Sequence, residues 1–475
     1  MQKKPNVLLI LMDSVRSANL SCYGYHRNTT PNLDKFATQG VLFEQAISES
    51  CWTLPAHTSV FTGLYPVNHD VTISKDALPK NHPTLAGILK DEGYQTCCFS
   101  NNAYISPATG LTRGFGHVED IWRITHPRGI KRTLMSRINI QLRKLGKLGA
   151  PLLAFTRLLR HLKKMVKEQK NTQDSGAEFT NQRIKKWLSE SWDKEKPFFM
   201  YVNYMECHEK YYPPHPHDRK FMPSRYSGWR VLRVNPEKSK ILNASKKRRK
   251  EDIEILTALY DGELNYLDQK IGELLEFLKS CGLTEDTVTV ITSDHGDSLG
   301  EHDELGHRTA LYEQLIRVPL IIRYNDTFEP GGRMSKQVQL SDLYPTLLEL
   351  AGADSAKLKH KGFVSLCDLE KVRNRKFTIS ENTAPKSMDS MTSRTIRMER
   401  YKFIWNSNGE HELYDLQEDP DELENIINSK PVVASQLQEQ LQEWQQKNKD
   451  FKIGKGQSVF DEEVSERLRA LGYIN

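Results

Sequence analysis

The chain has 475 residues, with Lys+Arg 67 against Asp+Glu 61, a formal net charge of +6, and 38% hydrophobic, 9% aromatic and 27% charged residues. This composition excludes a collagenous, disulfide-scaffold or wholly disordered chain. A charge of +6 over this length is too small for nucleic-acid binding by charge alone, so no nucleic-acid partner is expected.

The basic start ahead of Val7–Met12 resembles a signal peptide only superficially: the apolar run is short, and Asp13 ends it without a small-residue cleavage site. No uncharged apolar stretch of about 20 residues follows, so no transmembrane helix is expected. The seven cysteines, Cys22, Cys51, Cys97, Cys98, Cys207, Cys281 and Cys367, are scattered without a C-x-x-C pair. Their spacing suits a reducing compartment, and a cytoplasmic location is the expectation.

Val7–Met12 reads as a strand buried on both faces of a parallel sheet, and residues 197–202 and 287–292 read alike. Helical patterns lie between them, over 84–92 and 253–280. This alternation predicts an α/β fold with a large central mixed, mostly parallel sheet. Ligands of such sheets bind at the C-terminal strand ends, which singles out Asp13, the Met205–His208 stretch and Asp294-His295-Gly296.

Residues 129–170 are rich in Lys and Arg, with Glu168 as their single acid, and they place apolar residues at helical spacing. They are expected to form a basic amphipathic helical insertion. It would act as a lid over an acidic polymer, touch an anionic membrane surface, or simply present a solvated face. A second basic run covers Lys246–Lys250. The expected division is a catalytic α/β domain over 1–380 and a small α+β subdomain over 381–475, the latter with a hairpin over 395–416 and a Gln-rich helix over 432–447.

The densest polar cluster runs from Ser293-Asp294-His295-Gly296-Asp297 through Glu301-His302 to Gly306-His307. A carboxylate beside an imidazole after a buried strand, with glycines permitting close backbone approach, suits a divalent metal. A solvated polar loop is the plainer alternative.

The stretch Cys51-Trp52-Thr53-Leu54-Pro55-Ala56-His57 to Thr62-Gly63-Leu64-Tyr65-Pro66 resembles the sulfatase signature, in which a nucleophile, x, Pro, x, Arg opens a helix ending in Thr-Gly-x-Tyr-Pro. The resemblance continues through Asn6–Asp13, Thr30–Asp34, Gly40–Phe43, Tyr260–Glu263 with Asp268, Arg317–Ile322, Asp342–Thr346 and Glu412–Leu416 with Asp419–Glu422. It implies the sulfatase branch of the alkaline-phosphatase-like superfamily, with that superfamily's sandwich fold. The family nucleophile is a Cys or Ser oxidised to formylglycine. Thr53 stands at that position here, and threonine cannot be so converted. Cys51 lies two residues early, which argues against its use instead. The family arginine becomes His57, and the second carboxylate of an Asp-Asp pair becomes Ser14.

By this resemblance one divalent ion (calcium, manganese, magnesium or zinc) rests on Asp13, Thr53, Asp294 and His295. The set resembles that of phosphonate and phosphodiester hydrolases, several of which use a plain threonine. His208 falls near the leaving group, and His307 replaces a family lysine. His302 follows the metal loop, and Asn101 or Asn102 falls where the family has a Lys-x-x-His segment. His302 and His307 either cradle the anion, which is the expectation, or with His208 fill a second metal position. The expected function is metal-dependent hydrolysis of a sulfate ester, phosphodiester or phosphonate ester. The alternatives are a non-catalytic binding protein on the same fold and a phosphoryl-group transferase.

Overall fold

The computed structural model describes residues 3–72, 76–125, 174–234, 249–307, 310–353, 362–383 and 391–470. The basic insertion expected over 129–170 and residues 246–248 of the second basic run lie outside the described residues.

The central sheet has eight strands: β1 (Asn6–Met12), β2 (Val41–Phe43), β3 (Gln95–Ser100), β4 (His117–Asp120), β5 (Phe198–Tyr204), β6 (Thr287–Ser293), β7 (Leu320–Arg323) and β8 (Gly332–Met334). Their order across the sheet is β8-β2-β7-β6-β1-β5-β3-β4. Only β7 runs against its neighbours β6 and β2; the other pairings are parallel. The mixed, mostly parallel sheet expected from the alternation of elements is therefore present.

The helices that matter here are α1 (Thr53–Thr62), α2 (Leu85–Asp91), α3 (Ala177–Glu190), α4 (Lys250–Ser280) and α5 (Leu343–Leu350). They explain why β1 is apolar at consecutive positions. Val7, Leu9 and Leu11 pack in the layer that contains Val60 of α1, Leu89 of α2 and Leu347 of α5, while Leu8, Ile10 and Met12 pack in the layer with Ile184 of α3 and Leu267 of α4. A strand covered on both faces has no solvent side to carry polar residues. At about 1.5–3 kcal/mol for each fully buried aliphatic side chain, it concentrates hydrophobic stabilisation at the middle of the sheet.

A second, antiparallel sheet runs β9 (Thr378–Asn382), β10 (Ser393–Arg397), β11 (Tyr401–Asn406) and β12 (Glu412–Asp415) in that order. The segment expected as a hairpin supplies three of its strands. Ala434, Leu437, Leu441 and Trp444 of α6 (Pro431–Asn448) form an apolar stripe that packs on Ile379, Ile396, Phe403 and Leu413. No described helix is long and apolar enough to cross a membrane. Cys97 and Cys98 are buried in β3 as free thiols.

Candidate active site

Four parallel strands end at one edge of the sheet and deliver their next residues there: Asp13 after β1, Asn101-Asn102 after β3, His208-Glu209 beyond β5 and Asp294-His295 after β6. Helix α1 brings Thr53 to the same place as its first residue. The far end of α1 is fixed by Gly63, whose φ of 64° and close approach to the Tyr344 ring (an added Cβ would lie 2.8 Å away) admit no side chain.

Asp13, Asp294 and His295 are fully buried, and each brings a ligand-type atom within 4.8 Å of the others. Asp294 Oδ1 accepts from the backbone N–H of Ser14 (3.2 Å) and of His295 (2.9 Å), whereas Oδ2 is buried without a hydrogen-bond partner. Asp13 accepts from the Ser14 hydroxyl (2.9 Å) and from Asn102 Nδ2 (2.8 Å). Burial, and then the charge of Asp294, push the Asp13 carboxyl up to about 6; burial pushes Asp294 up to about 7.

The tautomer of His295 sharpens the picture. Its Nδ1 lies 2.8 Å from the Gly296 carbonyl, which can only accept, so Nδ1 carries the hydrogen. The Nε2 lone pair then faces Asp294 Oδ2 at 3.4 Å and the Thr53 hydroxyl at 3.3 Å. Two lone pairs pointed at each other in a buried space repel unless a cation or proton lies between them. About 3.3 Å is also the edge of a coordination tetrahedron with bonds of about 2.0–2.1 Å. The donor set therefore fits a divalent ion, and a backbone carbonyl orients its imidazole from behind, as metal-binding histidines commonly require.

The remaining expected residues divide. Asn102 touches Asp13, but the Asn101 amide donates to Thr180 (2.8 Å) and to the Asn203 carbonyl (3.0 Å), so it ties β3 to α3 and β5 rather than reaching the site. His57, one turn along α1, has Nδ1 at 2.8 Å from the Thr53 carbonyl and Nε2 at 2.7 Å from the Tyr201 hydroxyl. Both ring nitrogens are engaged, and burial pushes its pKa down to about 3. It is a neutral brace behind Thr53, with neither the charge nor the free nitrogen to hold an anion or protonate a leaving group. His302 stacks on Tyr312 (centroids 3.7 Å apart, 8° between planes), whose hydroxyl donates to Glu412 of β12, and so faces the second sheet.

His307 does reach the site: its ring lies 4.4 Å from that of His295 and 5.1 Å from that of His208. Sequence reasoning gave no individual role to two residues beside it, Glu209 and Asp297 of the polar cluster. Glu209 Oε2 lies 3.6 Å from His307 Nδ1 and 3.5 Å from His208 Nδ1, and Asp297 Oδ1 lies 3.3 Å from His307 Nδ1. Both were legible only as acids adjoining residues already singled out. Tyr201, which braces His57 from inside β5, left no signal in its apolar run. Cys51 is buried, and burial raises its pKa far above the ordinary range, an unreactive environment for a nucleophile.

Residues 5–353 match the profile of the family described as Sulfatase, and residues 300–447 match that described as N-sulphoglucosamine sulphohydrolase, C-terminal. The chain belongs to the sulfatase family and is a sulfatase-like hydrolase. It is similar to the arylsulfatase of Clostridium perfringens, with 26% identity over 90% of this chain and 91% of that protein. Among solved structures it resembles a protein in complex with its substrate D-glucosamine-2-N,6-O-disulfate (TM-score 0.69, 20% identity, 94% of this chain and 99% of that one). It also resembles the phosphonate monoester hydrolase of Agrobacterium radiobacter (TM-score 0.68, 22% identity, 94% and 96%). These likenesses carry the alkaline-phosphatase-like fold.

Proposed function

We propose that the protein hydrolyses an anionic ester, a phosphodiester or phosphonate ester in preference to a sulfate ester, with Thr53 as nucleophile. The observation that carries this reading is the Thr53 hydroxyl at the start of α1, 3.3 Å from His295 Nε2 and beside two buried carboxylates. One divalent ion (calcium, manganese, magnesium or zinc) held by Asp13, Thr53, Asp294 and His295 would supply Lewis-acid polarisation there.

The chain's own residues do the rest. His57 accepts from Tyr201 and grips the Thr53 carbonyl, which fixes the first turn of α1 and hence the hydroxyl. Asn102 and Ser14 orient Asp13. The backbone N–H groups at the start of α1 favour an anion. Thr53 Oγ forms a bond to the phosphorus or sulfur as it loses its proton. The bond to the ester oxygen breaks, and the alcohol leaves after taking up a proton at the end bordered by His208 and His307. Water then opens the Thr53 ester, releasing the acid and restoring the hydroxyl. The roles expected of Asn101 and His302 are not part of this proposal, because their side chains are committed elsewhere.

One feature favours phosphodiesters and phosphonates over sulfate esters, and a second disfavours phosphate monoesters. Thr53 cannot become formylglycine, and a neutral His57 in place of the family arginine lowers the fixed positive charge that a dianionic monoester would need. The substrate reported with one similar structure is a sulfated glucosamine, which keeps sulfate esters in the test. Hydrolysis of p-nitrophenyl sulfate, a bis-p-nitrophenyl phosphodiester and a phenyl phosphonate ester should be compared between the metal-loaded protein and Thr53→Ala. Cleavage of the phosphodiester or phosphonate is expected to fall by at least about 10⁴-fold in the variant. Sulfate cleavage that survives Thr53→Ala would overturn the threonine nucleophile and return attention to Cys51.

A further inference from the structure

The two family profiles match as far as residues 353 and 447, and the structure describes a further stretch to residue 470. From the end of α6 this stretch returns along the main body as a strap. The Asn68 amide, 2% exposed, donates to the carbonyls of Asn448 (3.1 Å) and Phe451 (2.9 Å), and the Asn68 carbonyl accepts from the Ile453 N–H (3.0 Å). Lys455 then reaches Asp76 (3.4 Å), and Gly456-Gln457 pair antiparallel with Asp76-Ala77. Helix α7 (Glu462–Ala470) ends the strap: Val464 and Leu468 are buried in the apolar layer that contains Val60 of α1 and Leu89 of α2, and Asp461 and Glu463 clasp Arg123.

Phe460 gives the strap a path to the active site. Its ring meets that of Tyr104 edge-on, with centroids 6.4 Å apart and 65° between planes, and packs against the same apolar layer. Tyr104 lies in the turn after β3 that carries Asn102. The Tyr104 N–H donates to Asn102 Oδ1 (2.9 Å), while Asn102 Nδ2 donates to Asp13 (2.8 Å). The same turn is tied to the segment that the strap pairs with: the Leu78 N–H donates to the Thr109 carbonyl (2.8 Å), and the Thr109 hydroxyl donates to the Tyr104 carbonyl. The Asn102 side-chain amide is thus held at both ends, and holding Tyr104 still keeps it aimed at Asp13.

We propose that the C-terminal strap, through Phe460, is a positioning element of the active site: it holds Tyr104 and Asn102 so that Asn102 orients Asp13. The consequence for metal binding rests on an ion at Asp13, and not on Thr53 as nucleophile. An orienting partner behind a metal ligand is typically worth about 10–100-fold in metal affinity. Phe460 stands one contact further back, so removing its ring should weaken the metal by about 3–10-fold. Because Phe460 acts through Asn102, that effect should vanish once the Asn102 amide is gone. A strap that served stability alone would show no such dependence.

The test is a double-mutant cycle on the full chain, read by manganese titration through the paramagnetic resonance of the free ion. Phe460→Ala should bind manganese more weakly by the factor above with stoichiometry unchanged, and Phe460→Ala with Asn102→Ala should bind no more weakly than Asn102→Ala alone. Leu437→Ala, in the core of the second sheet, should lower the melting temperature and leave the titration in place. Val459→Ala, 84% exposed beside Phe460, should change neither. Amide exchange in the metal-free chain supplies a reading independent of any ion: the Tyr104 N–H, held by Asn102 Oδ1, should exchange faster in Phe460→Ala than in Val459→Ala. Where the alanine variant folds poorly, Phe460→Leu keeps the apolar bulk and should show a smaller shift of the same kind. A titration unmoved by Phe460→Ala, or a shift that persists in full on top of Asn102→Ala, would overturn the proposal. If the unaltered protein takes up no ion, the metal reading fails by itself, and the strap is then decided by Tyr104 exchange, faster exchange supporting it and unchanged exchange overturning it.

Discussion

Two buried charge clusters in this molecule solve the same physical problem in opposite ways. Where the second sheet meets the main body, Glu313 accepts from Arg397 through two nitrogens (2.9 and 3.0 Å) and from Lys402 (3.2 Å), and Lys402 also reaches Glu422 (2.7 Å). Two acids meet two bases, and the cations hold the Glu313 carboxyl well below its ordinary pKa despite burial. At the sheet edge, Asp13 and Asp294 are buried beside His295, and burial pushes both carboxyls up. A buried ion pair completes itself within the chain; a buried pair of acids needs something from outside it. The first cluster is structure, and the second has the donor atoms that could hold a cation.

The largest expected effects come from removing one acid of each cluster. Asp294→Asn should abolish binding of the ion next to Thr53 and lower turnover by roughly 10³-fold or more, since transition-state charge stabilisation of this kind is worth several kcal/mol. Its metal-free form should melt no lower than metal-free unaltered protein, because the new Nδ2 can donate to the His295 Nε2 lone pair now 3.4 Å from Oδ2. Glu313→Gln should do the reverse. It takes the buried carboxylate from Arg397 and leaves Lys402 with Glu422 alone, and should cost about 3–5 kcal/mol of stability, read by denaturant unfolding, while metal content is unchanged. If Asp294→Asn destabilised the metal-free protein as much as Glu313→Gln, the distinction between the clusters would fail.

Much of this was legible in the sequence because it repeats along it. The alternation of buried strands and helices predicted the sheet, and Asp13, Thr53, Asp294 and His295 each follow or open an element whose signal is strong. What was not legible depended on direction rather than position. Asn101 and Asn102 are adjacent, yet only Asn102 points to Asp13, because the turn after β3 sends its neighbour toward α3. His57 and His307 are both histidines replacing family cations, yet one is closed between Thr53 and Tyr201 and the other lies beside His295. His302 stacks on Tyr312, a contact set by how the second sheet packs. Chain spacing carries no information on which way a loop side chain turns.

A smaller effect should come from Asn102→Ala. It removes the amide that holds Asp13 at 2.8 Å without touching a proposed ligand–ion contact. Loss of an orienting partner behind a metal ligand typically weakens the metal by about 10–100-fold, so the expected reading is a metal titration shifted by that factor with stoichiometry unchanged. A titration that does not move would mean that Ser14 alone orients Asp13.

The smallest effect concerns Glu49, a buried acid that belongs to neither cluster. Its Oε1 accepts from the Ser341 N–H at 2.8 Å, its Oε2 has no hydrogen-bond partner, and burial pushes its pKa up to about 8. Because the folded pKa lies above the ordinary value of 4.5, the folded chain keeps a proton that the unfolded chain gives up. Stability from this group is therefore fully present below pH 4.5, falls as pH rises toward 8 and levels off beyond it, with a slope of at most about 1.4 kcal/mol per pH unit. Glu49→Gln keeps an acceptor for Ser341 and has no proton to lose, so melting temperature against pH should flatten between 5 and 8 relative to the unaltered protein, with metal content unchanged. An unflattened curve would mean that Glu49 is ionised in the fold and meets a cation after all, which would move it from the uncompensated acids to the paired ones.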